Sequence, residues 1–113
     1  MKLDPKAEKW IDSLAGEPGD FDWDEHNRTK NRKHKVEAGD IEAMFENAVI
    51  FVGRIVEPKH HEPRWLLLGT SARGRRLALI FTRTGERLRP ISCRSMRDNE
   101  RQVFREALGI EED

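Results

Sequence analysis

The chain has 113 residues, enough for one domain around a single modest core. Hydrophobic residues make up 36% and charged residues 37%, yet three Trp and five Phe exclude a fully disordered chain. The formal charge is zero, the single Cys93 excludes an intrachain disulfide, and no apolar run approaches the length of a membrane span.

Asp4-Pro5 reads as the N-cap and first position of a helix whose apolar stripe is Ala7, Trp10, Ile11 and Leu14 and whose end is Gly16. With the polar linker that follows, residues 1–20 form an N-terminal helical extension, and residues 21–113 form the main domain. Phe21-Asp22-Trp23-Asp24 alternates like a short strand, and Asp24 caps the next helix, through about Lys35. That helix holds no large apolar residue. Its Asn27, Lys30 or Asn31, and His34 share one face, so it is either solvated or aims polar groups at something. Asp40 starts another helix, with Ile41, Met44 and Phe45 as its buried side.

Strands are expected over 48–56, 64–71, 75–83 and 86–94, joined by short turns at 71–74 and 83–86. Pro90 implies an edge position or a bulge. Ser95 reads as the cap of a last helix, with Asp98 completing a capping box, Met96, Val103, Phe104, Ala107 and Leu108 facing the core, and Gly109 as its end. The fold class is α+β: N-terminal helices, a twisted antiparallel meander of about four to five strands, then a C-terminal helix; one sheet face must be buried against helices, and the other can be polar and free.

The zero net charge conceals strong blocking. Residues 1–26 carry −5, 27–35 carry +5, 36–63 carry −4, 64–105 carry +8 and 106–113 carry −4. All eleven basic residues of the 64–105 block are arginines, whose planar fork grips phosphate where lysine offers a point charge. Alternation sends Arg76 one way and Arg75 and Arg83 the other, while Arg87 and Arg89 share a face. Arg87, Arg89 and Arg94, with Arg64 and one of Arg75 or Arg76 nearby, form a basic patch that binds phosphates without reading bases. The competing reading is a charged edge that blocks aggregation. His34, beside Lys33, has two readings: a general acid or base, or a structural imidazole. His60-His61 lies in a Pro-flanked loop with no third ligand at a suitable spacing, so no metal or cofactor is expected. A chain without a secretory apolar run and with one thiol reads as cytoplasmic.

RNA can be cut with these parts. A base takes the proton from a ribose 2′-hydroxyl, and that oxygen attacks the adjacent phosphorus. A cation neutralises the phosphorane, and an acid protonates the departing 5′-oxygen.

Four stretches, in order, resemble the BrnT family of toxins from type II toxin–antitoxin pairs. They are Phe21-Asp22-Trp23-Asp24-Glu25 with Asn27, Lys33-His34 and Val36; the helix from Asp40 to Phe45; Arg64-Trp65-Leu66-Leu67-Leu68-Gly69 with Gly74-Arg75-Arg76-Leu77 and Ile80-Phe81-Thr82; and Arg87-Leu88-Arg89-Pro90-Ile91-Ser92-Cys93-Arg94, where the family shows R-x-R-x-I-S-A-R. Glu100 and Phe104 follow at the family's spacing. The resemblance covers residues 21–106. It implies a RelE-like fold, metal-independent ribonuclease activity, and a small DNA-binding, BrnA-like antitoxin partner that joins the toxin in a hetero-oligomer. A homo-oligomer is also open. Carried onto this sequence, it implies catalytic roles for His34, Lys33, Arg94 and Arg89, and RNA binding by Arg64, Arg75, Arg76, Arg87 and Ser92. Three departures stand out. Lys35 replaces the usual glycine, Cys93 a common alanine and Phe104 a frequent tyrosine, and the chain has no tyrosine at all. These departures keep a second reading in view, a non-catalytic toxin-like module binding RNA or an antitoxin. A DNA-binding regulator is weaker, because the one strongly basic helix is short.

Overall fold

The structure is a computed structural model that describes residues 1–6, 8–14 and 17–109. The expected helix positions Ala7 and Gly16 and the acidic residues 110–113 lie outside the described residues. Five strands form one antiparallel sheet in chain order: β1 (Lys2–Asp4), β2 (Ile50–Glu57), β3 (Trp65–Thr70), β4 (Arg76–Thr84) and β5 (Arg87–Ser95). Among the described residues, four short helices, α1 (Lys9–Asp12), α2 (Glu25–Thr29), α3 (Ala38–Met44) and α4 (Asp98–Leu108), complete the α+β architecture, and a 3₁₀ segment (Lys30–His34) continues α2.

Alternation along the central strands sorts two cores. Trp65, Leu67, Leu77, Leu79, Phe81, Leu88 and Cys93 face one side, where Trp10, Phe21, Val36, Ile41 and Met44 cover them. Leu66, Leu68 and Ala78 face the other, under Met96 and Phe104. The second face, which the sequence allowed to be polar and free, is therefore covered in part. The reason lies in the run from Trp65 to Leu68, which is apolar at every position, as strands buried on both faces are. On α4, Phe104 is buried while Val103 and Ala107 are exposed, so its apolar side is narrower than the spacing suggested.

The first residues are built into this sheet rather than appended to it. Leu3 pairs with Ile55, and Asp4 with Arg54. The close approach depends on Gly53, where an added Cβ would lie 2.4 Å from the Asp4 carbonyl oxygen. Asp4 thus belongs to a strand, and α1 begins only after Glu8. Trp10 still reaches the core, edge-on to Trp65 at 5.0 Å between ring centroids. The Glu8 carboxylate accepts from the Trp65 indole and, at 2.8 Å, from Arg54.

Two asparagines dock the polar helix. Asn31 Oδ1 accepts from the Cys93 amide at 3.0 Å, and Asn27 Nδ2 donates to the carbonyls of Asp22 at 2.9 Å and Pro90 at 3.4 Å. Both are buried, so the helix satisfies backbone groups of edge strand β5 in place of supplying apolar surface. Asp24 caps α2 as expected, accepting from the Asn27 amide at 2.8 Å. The cap of α4 is Arg97 in place of Ser95: its amide donates to Glu100 at 2.8 Å.

Candidate nucleic-acid interface

The register of β4 against β5 decides which arginines share a face. Ala78 lies opposite Arg94, Ile80 opposite Ser92, Thr82 opposite Arg89 and Thr84 opposite Arg87. Arg89 and Arg94 are five residues apart, so a regular strand would turn them to opposite sides. A bulge around Pro90 and Ile91 restores the parity, because Phe81 pairs with Pro90 while Ile80 pairs with Ser92. Arg87, Arg89, Ser92 and Arg94 therefore lie on the α4 side of the sheet. Arg64 joins them by its alternation with Leu66, and Arg76 stacks over the Phe104 ring at 4.9 Å.

This face is not the bare cationic patch that the +8 block suggests. The chain folds acidic residues back onto it. Arg94 grips Glu100 with both guanidinium nitrogens, at 2.6 and 3.1 Å. Arg64 holds Glu62 at 2.8 Å. Residues 21–24 run beside β5, with the Asp22 amide donating to the Leu88 carbonyl at 2.8 Å. Asp22 thereby meets Arg89 at 3.2 Å and Arg87 at 3.5 Å, and Asp24 meets Arg89. Four arginines face four carboxylates.

The pairs differ in exposure. The Arg94 and Glu100 side chains are 17% and 8% exposed, whereas Arg87 is 50% exposed and Asp24 45%. Burial works against the charged form of Glu100. The bonds from Arg94 and the Arg97 amide outweigh it and hold the carboxyl below the usual range. Asp22 is also held low, chiefly by the Thr84 hydroxyl, which donates to it at 2.6 Å, against its own desolvation and with help from Arg89. Arg89 lowers Asp24.

Lys33 and His34 sit elsewhere. Both are exposed at the end of the 3₁₀ segment, against the edge of β5. Arg75 points to that side, as alternation predicted, and donates to the carbonyls of Lys35 at 2.6 Å and His34 at 3.2 Å and to the Ser95 hydroxyl at 3.2 Å. Arg94 donates to the Ser95 carbonyl at 3.3 Å from the other face. Ser95 is thus the joint between the two groups. The structure brings Arg64, Arg87, Arg89, Ser92 and Arg94 together, and it ties His34 to them through backbone and Ser95.

Sequence reasoning missed Asp22, Asp24, Thr84 and Glu62 as partners. The one local signal is that Asp22 and Asp24 are two residues apart, like Arg87 and Arg89. Among the described residues, no group of three or more His, Cys, Asp or Glu side chains is placed to hold a metal ion, and no helix is long and apolar enough to cross a membrane.

A family model described as the ribonuclease toxin BrnT of a type II toxin–antitoxin system matches residues 23–100. No curated protein matches the chain.

Proposed function

Because this chain belongs to the BrnT family of ribonuclease toxins, we propose that it is a metal-independent endoribonuclease that works on the α4 face of its sheet. The observation that carries the reading is the Arg94–Glu100 pair. A guanidinium held at two points on a rigid strand is preorganised to meet charge that develops on phosphorus. Arg94 neutralises the phosphorane. Ser92, two residues away on the same face, donates its hydroxyl to a phosphate oxygen, and Arg64, Arg87 and Arg89 hold the chain. His34, with Lys33 beside it, lies across the β5 edge from Arg94, so the RNA must bend over that edge to bring the reacting bond between them; there His34 takes the proton of the 2′-hydroxyl and gives one to the 5′-oxygen. In that step the 2′-oxygen–phosphorus bond forms and the phosphorus–5′-oxygen bond breaks. Arg75 anchors the His34 segment, and Arg76 steadies α4 through Phe104. Residues 21–113 carry this machinery.

The partner is a small DNA-binding, BrnA-like antitoxin that joins it in a cytoplasmic hetero-oligomer. The test is purified protein with defined RNA in the presence of chelator. Products ending in 2′,3′-cyclic phosphate are expected, and RNA left intact across substrates and pH would refute the reading. A second reading, a toxin-like module that binds RNA or an antitoxin without cutting, draws on the carboxylates that already hold the arginines of this face. A folded wild-type protein that causes no growth arrest on expression supports it.

A further inference from the structure

We propose that Thr84, Arg87 and Arg89 form a second phosphate subsite for single-stranded RNA, closed in the free protein by Asp22 and Asp24, whose carboxylates an incoming phosphodiester displaces. Its ligand class rests on the ribonuclease reading above, but its residues and its geometry are separate from the Arg94–Glu100 pair.

The donor set is that of an oxyanion site. One carboxylate, Asp22, takes a hydroxyl from Thr84 at 2.6 Å, Arg89 at 3.2 Å and Arg87 at 3.5 Å. A phosphate oxygen accepts from the same donors in the same way. Asp24 occupies the remaining side of Arg89. These carboxylates reach the site from residues 21–24, laid along the edge of β5, and not from the strand that carries the arginines.

Exposure makes the contact exchangeable. Arg87, Arg89 and Asp24 are 50%, 32% and 45% exposed, and ion pairs this open to water contribute little to stability, whereas Asp22, 19% exposed and bonded to Thr84, is the firmer of the two carboxylates. By contrast, Glu100 is 8% exposed and also caps α4, so it is fixed beneath Arg94. The same face thus carries one permanent carboxylate that orients an arginine and two others that keep arginines occupied, of which Asp24 is the more readily displaced.

The register sets the spacing between the two sites. Arg89 lies opposite Thr82 and Arg94 opposite Ala78. Four residues of β4 separate them, about 13 Å at about 3.3 Å per residue. A phosphate at Arg89 is therefore about two nucleotide spacings from one at Arg94. An oligonucleotide can span both sites, and a dinucleotide cannot.

The test uses the full chain with 2′-O-methyl RNA, which binds but cannot be cut, as a dinucleotide and as an octanucleotide, followed by chemical-shift titration. Asp24→Asn is the informative variant, because asparagine caps a helix as well as aspartate and α2 stays intact. It is expected to tighten octanucleotide binding several-fold and to leave the dinucleotide alone. The double variant Arg87→Gln, Arg89→Gln is expected to weaken the octanucleotide at least tenfold more than the dinucleotide and to flatten its log–log salt slope by about 0.7, the increment for one phosphate on a single strand.

Octanucleotide affinity that Asp24→Asn leaves unchanged or lowers overturns the subsite, as does equal loss on both RNAs in the double variant. Octanucleotide that fails to bind while polyglutamate does overturns the assignment to RNA. Unmodified octanucleotide, run in parallel, separates the two proposals. Cutting without the length dependence removes only the subsite. The length dependence without cutting removes only the ribonuclease.

Discussion

Replacing Glu100 by glutamine isolates the charge beneath Arg94. The amide side chain keeps an acceptor for the Arg97 amide and suits the third position of a helix, so the α4 cap survives. The Arg94 bond to Oε1, at 2.6 Å, loses its charge assistance, and the bond to Oε2, at 3.1 Å, is lost, because the amide nitrogen that replaces that oxygen can only donate. Hydrogen bonds to a charged group are worth about 1.5–3 kcal/mol and neutral ones about 0.5–1.5, so the two changes together cost about 3 kcal/mol. At about 2.1 cal/mol/K of unfolding entropy per residue, a chain of 113 residues loses about 13 °C in Tm. The cost must also depend on pH. The Glu100 carboxyl is held below its unfolded value, so its contribution is complete above about pH 4.3 and fades as pH falls through the lower folded value. Glutamine does not titrate there. Thermal unfolding of both proteins, followed by circular dichroism from pH 7 into the acid range, should show the Tm gap closing below about pH 4. A gap that is absent at pH 7, or that persists unchanged into acid, refutes the claim that this carboxylate is charged and bound to Arg94.

Asn31→Leu leaves the buried Cys93 amide without its acceptor and should cost about 1–3 kcal/mol in urea unfolding, with faster hydrogen exchange at Cys93. Equal stability would remove the docking role of the polar helix. Lys35 adopts a φ of 59°, a left-handed conformation that favours glycine. Lys35→Gly relieves about 1–2 kcal/mol of crowding against about 0.5–1 of added chain entropy, so it should stabilise by about 0.5–1 kcal/mol in the same urea assay. Burial pushes the Cys93 thiol up to about 12, so the native protein should not react with a thiol reagent at pH 8, whereas the urea-unfolded protein should react at once. Fast labelling of the folded chain would contradict that burial.

The meander was legible because its strands announce themselves locally. β2 to β5 begin and end within two residues of the apolar and alternating runs that predict them, and Gly109 ends α4 in the left-handed conformation expected of it. Pro90 signalled an edge or a bulge, and β5 has both. What no local pattern could show is the consequence of that bulge, which turns Arg89 and Arg94 to one face. β1 was hidden because three residues carry no usable alternation, and its pairing depends on the missing Cβ of a glycine some fifty positions away. The charge blocks misled for a related reason. Asp22 and Arg89 are 67 residues apart, and only the path of residues 21–24 along β5 places a carboxylate on that arginine.

If Arg94, oriented by Glu100, stabilises the charge on phosphorus during RNA cleavage, its loss must slow the chemical step. The most direct measurement compares single-turnover cleavage of one defined RNA by the wild-type protein, Arg94→Ala and Arg94→Lys, in chelator, with circular dichroism confirming that each is folded. Arg94→Ala is expected to lose about 10²–10³ in rate. Arg94→Lys is expected to recover part of it, because lysine restores the charge but not the two-point grip on Glu100. Cleavage by folded Arg94→Ala at the wild-type rate would contradict that role of Arg94.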